Sequence, residues 1–154
     1  MRNKKNTNNE NPIVGAEFQE TVAKWFKKHY KKNFEMDKKI PIGYSEKKNH
    51  RFDIVSDDNT IAIECKCYTW TEAGNVPSAK MGAANEAVFY LSFLPGTCEK
   101  YIVMKKSTHE KHNPKEETLA EYYYRINRHL LGGIKVAEFD TNATSESKKL
   151  RIIG

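Results

Sequence analysis

Apolar side chains recur at helical spacing over residues 14–31, at Val14, Phe18, Val22, Trp25, Phe26 and Tyr30. Lys24, Lys27, Lys28, Lys31 and Lys32 fall mostly on the other side, so the stretch predicts an amphipathic helix. Residues 34–44 suit an irregular strand, broken by Pro41 and Gly43. Residues 51–56 and 60–68 are short β-rich runs, and Asp57-Asp58-Asn59 between them predicts a hairpin. Helical spacing returns over 78–93, with Met81, Ala84, Val88 and Leu91 in one stripe, Pro77 and Ser78 at the start and Pro95-Gly96 at the stop. Residues 100–105 are a further strand.

A third helix is predicted by its punctuation: Asn113 as cap, Pro114 at the first helical position and Glu116 and Glu117 in the first turn. Arg128 and His129 fill its last turn and Gly132-Gly133 ends it. Residues 134–139 form a last strand. The order helix, three strands, helix, strand, helix, strand predicts an α/β domain, a central mixed β-sheet flanked by helices. It occupies residues 13–140, between an Asn-rich polar tail (1–12) and a polar C-terminal tail (141–154).

Composition narrows this picture only a little. A chain of 154 residues fills one domain, and 38% hydrophobic with 30% charged residues is a soluble balance. No apolar run approaches the ~20 residues that span a bilayer, and the first residues lack a signal peptide's apolar stretch. The expectation is a cytoplasmic protein with no membrane partner. Cys65, Cys67 and Cys98 offer no disulfide framework; Cys65 and Cys67 read as thiols on the buried face of a strand. Of the net charge of +6, most lies in residues 1–32, with eight Lys or Arg against three Glu. That basic end draws the chain toward phosphates without specifying any chemistry.

The chemistry lies in Asp53, ten intervening residues, then Glu64-Cys65-Lys66. Strand side chains alternate, so Glu64 and Lys66 share a face while Ile61, Ile63, Cys65 and Cys67 point into an apolar layer. The hairpin returns Asp53 to the side of Glu64. Two such carboxylates, with the backbone carbonyl of Cys65, suit a hard divalent cation: Mg²⁺, with Mn²⁺ as a substitute. A cation there polarises a phosphodiester and acidifies a water, which Lys66 can orient. The plain alternative is a solvated Glu64–Lys66 pair on an amphipathic edge strand.

This pattern resembles the PD-(D/E)xK nuclease superfamily, which includes restriction endonucleases and Holliday-junction resolvases. Asp53 stands as its Asp, preceded by Phe52 rather than Pro, and Glu64-Cys65-Lys66 as its (D/E)xK. The resemblance spans residues 15 to about 105, in the order helix, three-stranded meander, helix, strand. It implies a restriction-endonuclease-like core, Mg²⁺-dependent cleavage of DNA and a homodimer, since two strands need two sites.

Members of the superfamily often add an acid from the first helix. At ~100° per residue from Val22, the inward position here is Gln19, with Glu17 and Glu20 on the Lys-rich face; an irregular helix start would turn Glu17 inward instead. Lys80 falls on the Ala84 stripe, where it meets phosphate or carboxylates, or snorkels at the core's edge. Tyr68, Thr69 and Trp70 follow Lys66 and suit sugar, base or phosphate, although core packing fits Trp70 equally. Arg51 is placed for phosphate. Loops 44–50 and 69–77 are the expected DNA readers. Two other readings stay open: a catalytically inactive nucleic-acid-binding module on the same fold, and a regulatory or toxin-like partner protein using the basic first helix.

Overall fold

A computed structural model describes residues 10–109 and 117–154. Helix α1 (Glu10–Tyr30) buries Phe18, Val22 and Phe26, a four-residue repeat on one face. It starts before the expected tail ends: residues 10–12 are helical, and Pro12 is tolerated because a first-turn N–H has no partner to lose. Lys27, Lys28 and His29 fill its last turn, favourable against the helix dipole. Lys31 then turns left-handed (φ 53°) and stops it.

Strands β1 (Phe34–Ile42), β2 (Lys48–Ser56) and β3 (Ile61–Lys66) form an antiparallel meander. The β1–β2 turn needs Gly43, whose φ of 139° would place a Cβ on the carbonyl of Glu46. Helix α2 (Ser78–Leu91), β4 (Glu99–Lys105), α3 (Leu119–Asn127) and β5 (Lys135–Phe139) follow as two crossovers between parallel neighbours. The expected cap of α3 changes. Thr118 accepts from the Glu121 N–H at 3.2 Å while the Glu121 carboxylate accepts from the Thr118 N–H at 3.3 Å, a capping box. Asn113, Pro114 and Glu116 lie outside the described residues.

The expected polar tail 141–154 also changes. It carries a short strand, β6 (Leu150–Ile152), antiparallel to β5, and the Ile153 N–H continues the pairing by donating to Val136 O at 2.8 Å. Arg151 ties this strand down through Glu138 (2.8 Å) and Glu121 (3.1 Å).

The result is an open six-stranded mixed sheet in the order β1-β2-β3-β4-β5-β6. Both parallel crossovers advance in the same direction, and right-handed connections therefore put α2 and α3 on one face. Met81, Ala84, Val88, Leu91, Leu119 and Tyr123 pack there against Ala62, Ile102, Met104 and Val136. Alternate residues, Ile61, Ile63, Tyr101, Val103, Ala137 and Phe139, meet α1 on the other face. No helix among the described residues is long and apolar enough to cross a membrane.

Alternation fails at one place. Phe34 packs on the α1 side and Ile40 on the α2 side, although both are even positions of β1; Ile54 and Phe52 of β2 divide in the same way. The break falls at Asp37 and Asp53, which drop out of the β1–β2 register between Met36–Ile54 and Lys38–Phe52, and Asp37 is left-handed (φ 55°). A strand that switches faces at Asp53 frees that side chain from pointing squarely into either helix layer.

Candidate active site

β2 and β3 pair only at Ile54–Ile63 and Val55–Ala62, then part. Beyond the parting, carboxylates take over the ladder. Asp53 Oδ2 accepts from the Cys65 N–H at 2.8 Å, and the Asp53 N–H donates to Glu64 Oε1 at 3.2 Å. Sequence separation made this meeting possible, and the face switch at Asp53 turns the side chain into the gap.

Glu64 does not lie on an open strand face. α2 and α3 cover that side, and Glu64 is only 6% exposed. Burial first, then the neighbouring Asp53 charge, push its carboxyl up to about 8, against the pull of Lys66. A carboxyl so placed favours its protonated form near neutral pH. Lys66, half-buried, has its ammonium 5.9 Å from the ring centre of Tyr68.

Cys65 and Cys67 pack toward the α1 core, as expected, and all three cysteines are free thiols. Burial and the Asp53 and Glu64 charges hold the Cys65 thiol well above its usual range. What Cys65 can offer is its carbonyl, which in an extended strand points to the same neighbour as its N–H, here the Asp53 gap.

Gln19 reaches this site. Its amide donates to the Asp53 carbonyl at 2.7 Å and to Asp37 Oδ1 at 3.3 Å, while Glu17 and Glu20 are exposed. Through those bonds Gln19 braces the backbone at the face switch. Asp37 was missed in the sequence, because nothing local marks a strand residue for a left-handed conformation.

The surrounding residues divide. Tyr68 lies between Lys66 and Lys80, whose ammonium is 5.6 Å from the ring centre. Lys80 itself is exposed rather than inward, since its first-turn position projects beyond the stripe that Met81 and Ala84 bury. Thr69 and Arg51 are exposed, so both are accessible to a ligand. Trp70 is not at the mouth. It is 5% exposed, donates its indole N–H to Ser107 O at 3.1 Å and packs edge-on to Tyr122, a core residue. His50 stacks on Tyr90 with ring centres 3.9 Å apart. Burial lowers its pKa, opposed by the nearby Asp53 and Glu86 charges.

Among the described residues no three His, Cys, Asp or Glu side chains are grouped to hold a metal ion. The available donors are two carboxylates and a carbonyl, all hard oxygens. No protein-family model, curated protein or solved structure matches this chain.

Proposed function

We propose that this chain is a metal-dependent deoxyribonuclease of the PD-(D/E)xK type, with a restriction-endonuclease-like core. The observation that carries the reading is the juxtaposition of Asp53 and Glu64 where β2 and β3 part, with Lys66 following on β3. Two like charges forced together in a buried place disfavour each other, and a divalent cation relieves both. The donors fit Mg²⁺: Asp53, Glu64 and the Cys65 carbonyl would hold it, and it would supply Lewis acidity toward a phosphodiester.

The chain's own residues do the rest. Lys66 donates to the attacking water or to a phosphate oxygen as negative charge grows there. Water adds its oxygen to phosphorus, one P–O ester bond breaks, and the departing alkoxide takes a proton. Gln19, acting through the Asp53 carbonyl, keeps that aspartate in register. Lys80, Tyr68, Thr69 and Arg51 are the accessible groups for the flanking phosphates and sugars. A homodimer would bring two such sites to two strands.

The test is cleavage of supercoiled plasmid and of a synthetic four-way junction, with Mg²⁺ or with EDTA. Wild type is run beside Asp53→Ala and Lys66→Ala. Metal-dependent cutting, reduced on the order of 100-fold or more by Lys66→Ala, is expected. DNA binding without cutting on either substrate, and without a calorimetric Mg²⁺ signal, would instead make the chain a binding module. The specific feature on that side is Gln19, which brings an amide where an acid would add a metal ligand.

A further inference from the structure

A row of aromatic rings leads away from Asp53. Phe52, its chain neighbour, meets His50 edge-on at 4.7 Å between centres, and His50 stacks on Tyr90 at 3.9 Å. Tyr90 contacts Phe89 at 6.1 Å, Phe89 meets Phe93 at 5.1 Å, and Phe93 meets Tyr44 at 4.9 Å. The row begins in the core and ends in solvent: Phe52 is fully buried, while Phe89 is 53% and Tyr44 83% exposed.

Tyr44 belongs to the β1–β2 turn, beside exposed Lys47 and Lys48. Residues 38–51 carry five Lys or Arg against the single acid Glu46. Tyr44 on the basic arm and Phe89 on α2 both stay wet, with Glu86 the acid of α2 nearest His50. Such rings next to Lys47 and Lys48 suit a ligand that is both planar and anionic. A second copy of the chain is the weaker occupant. A two-fold contact sets a patch against itself and would bring Lys47 and Lys48 toward their own images. Phosphates complement the lysines, and bases complement the rings.

We propose that the wet end of this row, Tyr44 and Phe89, is a stacking track for an unpaired nucleic-acid strand at the tip of the β1–β2 arm, with the half-buried His50–Tyr90 pair between it and the carboxylate site. Inside a duplex the base faces are already stacked on one another, so only splayed bases can use the rings. The inference rests on the nuclease reading and deepens it. The substrate class is DNA with a single-stranded stretch, such as a flap, a frayed end or an open branch, beside the bond to be cut.

The experiment is fluorescence anisotropy in EDTA, so that no cleavage intrudes, with a labelled mixed-sequence oligodeoxynucleotide and a duplex of the same length. Wild type is compared with the double variant Tyr44→Ala/Phe89→Ala. Both side chains are exposed, and a thermal melt controls for folding. The variant is expected to bind the single strand about ten-fold more weakly and the duplex within about two-fold of wild type. Tyr44→Trp with Phe89 intact keeps a ring at the tip and should retain single-strand binding within about two-fold of wild type. Lys47→Ala/Lys48→Ala should weaken both ligands and flatten the salt dependence.

Failure of wild type to bind the single strand, or equal binding by the aromatic double variant, overturns the track. So does a fall in molar mass by light scattering in that variant with oligonucleotide binding unchanged, which makes the patch a contact between copies. Plasmid and junction cleavage is scored separately. Cutting lost in Lys66→Ala, with ring-independent binding, retains the nuclease and removes the track. Ring-dependent binding without any cutting does the reverse.

Discussion

The β2–β3 hairpin holds an acid near each end, and the two are treated oppositely. At the turn, Asp58 accepts from Ser56 Oγ (2.7 Å), Thr60 Oγ1 (2.6 Å) and the Thr60 N–H (3.2 Å), and it pairs with Lys32 at 2.9 Å. Those bonds, led by Thr60, hold its carboxyl well below the usual carboxylate range. At the fork, Glu64 receives one hydrogen bond from the Asp53 backbone and lies buried beside another acid, which drives its carboxyl far above that range. The first acid stabilises the turn by being charged. The second resists being charged, and the fold keeps it nonetheless. An arrangement that works against its own ionisation serves a ligand better than it serves stability.

The sharpest way to break this contrast is Glu64→Gln. The folded-state pKa of Glu64 is raised, so its favourable contribution is complete below the unfolded value and declines as pH rises toward about 8. The variant should therefore gain on wild type between about pH 5 and pH 8, by on the order of a few kcal/mol at the upper end. Urea denaturation across that range checks it; parallel stability curves would remove the contrast. The same linkage sharpens the metal reading. On the proposed reading Mg²⁺ would displace the Glu64 proton, so its affinity should rise across the same range and calorimetry in buffers of different ionisation enthalpy should show proton release. Glu64→Gln should show neither effect.

Much of this hairpin was legible in the sequence. Alternation in Ile61-Ala62-Ile63-Glu64-Cys65-Lys66 separates the α1 face from the carboxylate face, and a helical wheel selects Gln19 over Glu17 because Val22 fixes the inward side. What stayed hidden depends on distant partners. The switch at Asp37 and Asp53 follows no local pattern, and the indole of Trp70 is claimed by Ser107, 37 residues on. Strand β6 has too few residues for a period and exists through its pairing with β5. The cap at Thr118 was written in Thr118-Leu119-Ala120-Glu121, but Asn113-Pro114 is an equally good local start. Local rules alone do not choose between them.

A smaller effect is expected at the turn. Ser56 is fully buried, and its Oγ accepts from the N–H groups of Thr60 (3.0 Å) and Ile61 (2.9 Å). Ser56→Ala strands the Ile61 N–H, leaves the Thr60 N–H on Asp58 Oδ1 and removes one donor to that carboxylate. It should cost about 1–2 kcal/mol near neutral pH, read by the same urea series. Metal affinity should be unchanged, because the two ends are separated by the intact Ile54–Ile63 pairing. A fall in Mg²⁺ affinity in this variant would mean that the turn positions the fork and that the two ends are not independent.

The smallest effect tests the sign. Asn at position 58 can still accept from Ser56 and Thr60, so Asp58→Asn removes the charge and the exposed Lys32 pair while leaving the turn bonded. The folded-state pKa of Asp58 is depressed, so its contribution is present above the unfolded value of about 4 and fades as pH falls below it. Asp58→Asn should thus melt slightly below wild type near neutrality and converge with it in acid. Glu64→Gln should separate from wild type as pH rises and exceed it. Two acid-to-amide changes in one hairpin would then move stability in opposite directions at neutral pH. If both lowered it, Glu64 would be an ordinary structural acid, and the case for a cation between Asp53 and Glu64 would lose its electrostatic basis.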